Sequence, residues 1–343
     1  MSDAIQSVLL QRHGGLNQLQ FAERPAPTTL ADDAIQVQVA YCGVNFADIL
    51  TRLGLYAGTP PTPFVPGLEI SGRIEQVGSA VTQFKPGQSV AALLNQGGYA
   101  SRVQLPASQA IPVPDGIALD AAAALPVNYL TAWFMLFSQA NLQPGEQVLV
   151  HAAGGGVGLA VLQLCLWHQA TVIGTASASK HKRLYEAGIT HCIDYRSQDF
   201  EKAVMAFTGN KGVDVALDAV GGASYRKSYR CLAPMGRLIA FGASSFTGGD
   251  RRNWLAILKG LLNTPRFNPL RMIGESKLVA GFHLAHMVHY PDKMAHAWEN
   301  LCALTAAGQV EPVIDSIFPL EDADKAHAYL QARRNFGKVL LRP

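Results

Sequence analysis

From Ser7 to about Pro114, apolar and polar residues alternate in short runs, over residues 35–40, 69–77, 89–93 and 99–105, and turn residues punctuate them at Pro66-Gly67, Pro86-Gly87 and Gly97-Gly98. A two-residue period bounded by glycine and proline predicts half-buried strands, hence an all-β, barrel-like module. Residues 45–55 depart from it, as one or two helical turns ending at Gly54. Residues 120–140 then predict one or two helices, with Pro126 as a breaker, before the turn Gln143-Pro144-Gly145.

Beyond that turn the period changes. Strands at 147–151, 171–175, 191–193, 213–218 and 237–241 alternate with helices at 157–168, 179–187, near 198–207 and near 223–231. Such alternation predicts a parallel sheet with helices on both faces. The rhythm breaks down over residues 244–274, and strands and helices return from Leu278 to a last apolar strand at 339–341. One strand-rich domain built from both chain ends, with a nucleotide domain inserted between them, accounts for this order.

The chemistry concentrates where strand 147–151 meets the next helix. Val148, Leu149 and Val150 lead through His151, Ala152 and Ala153 into Gly154, Gly155, Gly156, Val157 and Gly158. A glycine-rich turn at a helix N-terminus lets backbone N–H groups approach a pyrophosphate, and the helix dipole favours its charge. The pattern Ala152-x-x-Gly155-x-x-Gly158 has alanine where the usual fingerprint begins with glycine, so it reads either as a dinucleotide site or as a turn that only allows close packing. About 20 residues on, NAD-specific folds carry an acid that holds the adenosine ribose. The chain there reads Gly174-Thr175-Ala176-Ser177-Ala178-Ser179-Lys180, without a carboxylate. Hydroxyls and a lysine suit the extra phosphate of NADPH, with Ser177 and Lys180 as its ligands. The same residues also suit a helix start in which Ser179 is the cap and Lys180 is solvated.

Composition narrows the class. The 343 residues allow two domains, and 49% hydrophobic with 15% charged residues excludes a mainly disordered chain. A net charge of +3 without any basic run excludes nucleic acid as the expected partner. Five widely spaced cysteines without a C-x-x-C pair read as free thiols of a reducing compartment. Residues 1–12 lack a signal-peptide pattern, and Asp120, Pro126 and Asn128 interrupt the most apolar long stretch, 117–137. A soluble cytoplasmic protein is expected.

Several pieces resemble one family along nearly the whole chain: Cys42-Gly43-Val44-Asn45-Phe46-Ala47-Asp48, Gly54-Leu55-Tyr56, Pro66-Gly67-Leu68-Glu69, Asn141-Leu142-Gln143-Pro144-Gly145, the turn at 151–158, Ile193-Asp194-Tyr195 and Gly337-Lys338-Val339-Leu340. The family is the medium-chain dehydrogenase/reductases, in their zinc-free quinone oxidoreductase branch. Residues 174–181, Gly281-Phe282-His283-Leu284 and 335–341 look most similar to its vesicle amine transport protein members. The resemblance implies an α/β protein with a GroES-like β-rich catalytic domain at 1–127, a doubly wound Rossmann NADPH-binding domain at 128–266, and a return to the catalytic domain at 267–343.

The departures from zinc-dependent relatives carry the mechanism. Asn45 and Leu68 stand where those relatives have cysteine and histidine ligands, Ala47 replaces a hydroxyl relay, and no cysteine lies between Cys42 and Cys165. No metal site is expected. Hydride transfer from NADPH to an already electrophilic small molecule remains, a quinone in the first reading, an alkenal, enone or enoyl thioester in the alternative.

Residue by residue, the resemblance puts Asn45, Asp48, Tyr56 and Thr131 around the nicotinamide as catalytic residues. It puts Ala153, Gly155, Gly156 and Val157 beneath the pyrophosphate, and Tyr195 with Ser177 and Lys180 at the adenosine phosphate. Phe241, Gly242 and Phe282 would offer backbone to the nicotinamide, with Asn335 beside them. Tyr56 or Asn45 would hydrogen-bond the developing oxyanion, and Tyr56 or water would supply the proton. Tyr56 also reads as a packing residue of the turn 54–58, and Asp48, as an unperturbed carboxylate, as an orienting group. Leu50 replaces a tyrosine of some bacterial quinone reductases, which leaves the acceptor open.

His283, His286 and His289 invite a metal reading, but their spacing spreads them around a helix, and His283 suits a strand end instead. Residues 251–263 form a basic amphipathic helix: Trp254, Leu255, Ile257, Leu258, Leu261 and Leu262 share a face, with Arg251, Arg252 and Lys259 at its ends or opposite it. That face suits the core, a homodimer interface, which is the expected assembly, or a membrane surface. Members of the vesicle-protein branch are associated with membranes and implicated in lipid transfer. The alternative of another class is therefore a membrane-associated lipid-binding or transfer protein that binds NADPH with little catalysis.

Overall fold

The computed structural model describes residues 4–247 and 249–343. The chain begins with β1 (Ala4–Leu10), β2 (Leu19–Pro25) and β3 (Ala34–Val44), then α1 (Phe46–Arg52), β4 (Glu69–Val77), β5 (Ser89–Leu93), β6 (Arg102–Pro106) and β7 (Ala110–Pro112). The middle runs α2 (Leu119–Trp133), β8 (Gln147–His151), α3 (Gly156–Trp167), β9 (Thr171–Ala176), α4 (Ala178–Glu186), β10 (His191–Asp194), α5 (Phe200–Phe207), β11 (Val213–Asp218), α6 (Ala223–Arg230) and β12 (Leu232–Ala240). It continues through α7 (Trp254–Asn263), α8 (Pro269–Glu275) and β13 (Leu278–Gly281). The chain closes with α9 (Pro291–Ala306), β14 (Ile314–Pro319), α10 (Ala323–Gln331) and β15 (Lys338–Arg342).

Two compact units result. The first runs to Asn128 and takes in Gly249–Arg252 and Asp292–Pro343; the second comprises 129–247 and Asn253–Pro291. In the first, a mixed sheet has the order β14-β15-β3-β4-β5-β7, with β6 also on β3. The chain end completes it: β15 pairs antiparallel with β3, Val339 opposite Val44, and parallel with β14. Ile35, Val37, Ile70, Ile74, Val339 and Leu341 face a common core, as the alternation predicts.

The second unit is a six-stranded parallel sheet in the order β10-β9-β8-β11-β12-β13. Counted from β8 this is 3-2-1-4-5-6, the doubly wound order whose reversal, between β8 and β11, marks the nucleotide crevice. Because β13 pairs with β12, Leu238 opposite Val279, the second unit extends past the expected boundary at 266 to Pro291. A four-residue strand carries too little periodic signal to reveal this.

Pro126 does not break α2, which runs on through a π-helical turn at Phe134–Gln139. A proline inside a helix disrupts the local ladder. Here the Val127 N–H donates to Glu69 Oε2 at 2.7 Å. Among the described residues, Leu119–Gln139 is the one helix long and apolar enough to cross a membrane, and 78% of its most apolar window is buried in the protein, as core helices are.

Candidate active site

In the second unit the chain leaves β8 through Ala152, held at φ 57°, and enters α3 with Gly155 as an extended N-cap. The first-turn N–H groups, from Gly156 and Val157 onward, project from the helix end, where an anion is favoured. A Cβ on Gly158 would stand 2.5 Å from the Ala152 and Ala153 carbonyl oxygens, so glycine lets α3 lie against the turn. Ala153 N–H donates to Thr175 O at 3.0 Å, tying the turn to β9.

Beneath the turn lies a network that sequence reading did not single out. His151 Nδ1 contacts Thr175 Oγ1 at 3.0 Å and Nε2 contacts Ser228 Oγ at 2.9 Å, while Ser228 also donates to Asp218 Oδ2 at 2.7 Å. Burial outweighs the attraction of the Asp218 carboxylate and lowers the His151 pKa, so the ring is a neutral strut. It joins the ends of β8 and β9 to α6. The residues look ordinary along the sequence; only the sheet brings them together.

At the end of β9, Ser177 rather than Ser179 is the N-cap of α4. Its hydroxyl meets Ser179 Oγ at 3.2 Å instead of a backbone N–H, and Lys180 follows in the first helical turn. Asp194 lies opposite Ala176 in the β9–β10 register, which brings Tyr195 to the same rim. The Asp194 carboxylate accepts from Ser197 Oγ at 2.8 Å and Arg196 N at 3.2 Å, bonds that lower its pKa and turn it into its own loop. The Arg196 guanidinium stands 5.9 Å from the Tyr195 ring centre.

Across the reversal, Phe241 N–H donates to Asp218 O at 3.1 Å, and Tyr225 Oη donates to Gly242 O at 2.5 Å. Phe282 N–H donates to Ala240 O at 2.9 Å, and its ring stacks on Phe134. Ala153, Gly155, Gly156, Val157, Ser177, Lys180, Tyr195, Phe241, Gly242 and Phe282 thus all follow C-terminal ends of strands in one sheet. Thr131 is buried on α2 of the same unit.

The first unit carries Asn45, Asp48, Tyr56 and Asn335. Asn45 is the N-cap of α1, and its N–H donates to Asp48 Oδ2 at 2.8 Å. Its side chain is engaged at both ends: Nδ2 donates to Glu69 Oε1 at 2.7 Å, and Oδ1 accepts from Lys338 Nζ at 2.7 Å. Lys338 and Glu69 form a direct, fully buried ion pair. Both residues stand inside the motifs that carry the resemblance, but no local pattern pairs them, since they lie 269 positions apart. Gly43 makes the arrangement possible, because a Cβ there would land on the Glu69 carboxyl group.

Asp48 is not the unperturbed carboxylate expected. Burial raises its pKa to about 7, against the lowering effects of the Asn45 N–H and of Lys338. Tyr56, half-buried, is raised to about 12, by burial first and then by Asp48, so its hydroxyl stays a neutral donor. Its carbonyl accepts from Thr59 Oγ1 at 2.6 Å, so the residue also shapes its turn. Asn335 Nδ2 donates to Gly337 O at 2.8 Å, fixing the approach to β15. Among the described residues no three His, Cys, Asp or Glu side chains gather as metal ligands.

The family described as zinc-binding dehydrogenase matches residues 187–341, and the alcohol dehydrogenase GroES-like domain matches residues 31–115. The chain belongs to the medium-chain dehydrogenase/reductase superfamily, among its zinc-independent quinone oxidoreductase-like members. It is 38% identical over 341 residues to the human synaptic vesicle membrane protein VAT-1 homolog, covering 99% of this chain and 86% of that protein. The crystal structure of the human VAT-1 homolog-like protein superposes with a TM-score of 0.86 at 33% identity, covering 100% of this chain and 99% of that one. The Escherichia coli quinone oxidoreductase complexed with NADPH superposes with a TM-score of 0.88 at 31% identity, covering 98% and 100%.

Proposed function

We propose that the protein is an NADPH-dependent, zinc-independent reductase that delivers hydride to a quinone, with alkenals, enones and enoyl thioesters as the alternative acceptors. The carrying observation is the rim at β9, where Ser177 caps α4 with its hydroxyl off the backbone and Lys180 stands in the first turn, with no carboxylate in the turn. A dianionic ribose phosphate fits that donor set. The glycine turn at the α3 N-terminus fits a pyrophosphate.

When bound, NADPH supplies the hydride. Gly155, Gly156 and Val157, with Ala153, would hold its pyrophosphate; Ser177, Lys180 and Tyr195 would select the ribose phosphate; and Phe241, Gly242, Phe282 and Thr131 would line the nicotinamide. Tyr56, kept neutral by its raised pKa, hydrogen-bonds the acceptor oxygen as charge develops there. Asn45 adds the Nδ2 hydrogen not directed at Glu69.

Lys180→Ala tests the reading. Loss of a charge-assisted contact of about 1.5–3 kcal/mol predicts NADPH binding weaker by roughly 10- to 100-fold, with NADH binding unchanged, in a fluorescence titration. Equal losses for both cofactors would remove Lys180 from the phosphate site. An NADPH-oxidation screen over quinones, alkenals and enoyl thioesters identifies the acceptor. Silence across the panel despite NADPH binding would favour a non-catalytic role.

One observation supports the second reading, a membrane-associated protein. On α7, Trp254, Leu255, Leu258, Leu261 and Leu262 are all more than half exposed, so they do not cover a core. Such a face suits a lipid surface or a second copy of the chain. The relatives' name, synaptic vesicle membrane protein, fits the first. Wild-type protein is expected to float with liposomes and Trp254→Ser/Leu258→Ser to remain at the bottom. Absent flotation, with a dimer in sedimentation that the same variant dissociates, would assign the face to self-association.

A further inference from the structure

The turn that carries Tyr56 is built on the C-terminal end of α1. Leu53 caps that helix, Gly54 turns the chain at φ 65°, and Tyr56 follows two residues on. The last carbonyls of a helix have no partner within it and lie at the negative end of its dipole, so a cation with several N–H donors suits them. Arg252 is such a cation. Its Nε donates to Leu53 O at 2.9 Å, and its Nη2 donates to Leu53 O at 2.7 Å and to Gly54 O at 3.1 Å. A Cβ on Gly54 would stand 2.3 Å from Arg252 Nη2 and 2.9 Å from the His13 ring, so the turn is packed closely between the guanidinium and that ring.

Arg252 is itself held in place. It belongs to the segment Gly249–Arg252, which forms neither helix nor strand and is part of the first unit. The fully buried Arg52 of α1 donates from Nη1 to Asp250 O at 2.9 Å and to Gly14 O at 2.6 Å, and from Nη2 to Gln331 Oε1 at 2.8 Å. Gln331 Nε2, at the end of α10, donates in turn to Gly249 O. Burial lowers the Arg52 pKa to about 10, so its charge persists at neutral pH. The clasp is reciprocal: Arg52 of α1 holds the segment, and Arg252 of the segment holds the end of α1. Its sequence position puts Arg252 at the basic end of the amphipathic helix; its guanidinium instead meets carbonyls 199 and 198 positions away.

We infer that Arg252 is a positioning residue for reduction, which sets the direction of Tyr56 by fixing the Leu53 and Gly54 carbonyls of its turn. The inference rests on the proposed role of Tyr56 at the acceptor oxygen. On the far side of the turn, Tyr56 O accepts from Thr59 N at 3.3 Å and from Thr59 Oγ1 at 2.6 Å. Those bonds close the turn on itself, whereas Arg252 ties it to a distant part of the unit. The planar fork of a guanidinium spans two carbonyls in a fixed geometry. A misplacement of about 1 Å at a reacting group costs on the order of 100-fold in rate.

Arg252→Met keeps the apolar stem and removes the donors. The full chain is labelled with 3-fluorotyrosine, and Tyr56→Phe assigns the Tyr56 fluorine resonance among the ten tyrosines. In Arg252→Met that resonance is expected to shift or broaden, while that of Tyr185, in the second unit, stays in place. For NADPH oxidation with 1,4-naphthoquinone, kcat is expected to fall roughly 10- to 100-fold with KM for NADPH unchanged. In the Tyr56→Phe background the same substitution should cost less than about twofold, because no hydroxyl is left to position. An unmoved Tyr56 resonance in a folded variant, or losses that multiply in the double variant, would overturn the inference. Arg252→Gln, which keeps a single amide donor group, is read in the same way if the methionine variant does not fold. Wild-type protein that reduces no acceptor would fail the reductase reading alone, and the fluorine resonance then decides whether Arg252 holds Tyr56.

Discussion

Asn45, Glu69 and Lys338 tie three separated parts of the chain into one buried knot. Glu69 accepts from Asn45 Nδ2, Val127 N and Lys338 Nζ, so its charge is compensated from α1, α2 and β15. Removing one partner of a buried pair strands the other charge, at a cost of about 3–5 kcal/mol. Lys338→Met is therefore expected to lower unfolding stability by that amount in urea titration. Lys338→Met/Glu69→Leu should recover part of it, because an apolar pair leaves no orphan charge but still deprives Val127 N–H of its acceptor. A double variant as unstable as the single would mean that the pair itself is not what stabilises the unit.

At the element scale, the turn from β8 to α3 is where local sequence and required geometry disagree. Ala152 sits at φ 57°, a left-handed conformation that costs an L-residue about 1–2 kcal/mol, at the position where the usual fingerprint begins with glycine. Ala152→Gly relieves that strain while adding roughly 0.5–1 kcal/mol of unfolded-state entropy. A small net stabilisation, about 0.5–1 kcal/mol, is expected in thermal or urea unfolding. A destabilised variant would show that the alanine methyl makes compensating contacts. Helix α2 teaches a related lesson. Pro126 signals a break by its local chemistry, but the distant carboxylate of Glu69 satisfies the neighbouring N–H, and the helix continues. Helix α7 was legible as an amphipathic segment from its apolar spacing, whereas which of its faces stays exposed was not.

For the whole molecule, the order of elements was largely written in hydrophobic period. Alternation gave the strands of the first unit, and the β–α rhythm gave the parallel sheet and its crevice, because burial on one face or two imposes those periods locally. The proposed nucleotide chemistry rests on glycines, hydroxyls and the missing acid along 152–180 for the same reason: backbone approach and phosphate charge select residue types within a short stretch. The chain end was recognisable as a strand, but its place was not. Tertiary structure alone decided that β15 lies between β14 and β3, that β13 extends the parallel sheet, and that Lys338 meets Asn45 and Glu69. It also decided that Asp48 is buried deeply enough to titrate near neutrality and that His327 shares a hydrogen with Tyr99. Periodicity and turn chemistry are properties of neighbours along the chain; ion pairs, desolvation and shared protons depend on distances in space between residues up to 293 positions apart, which no local pattern encodes.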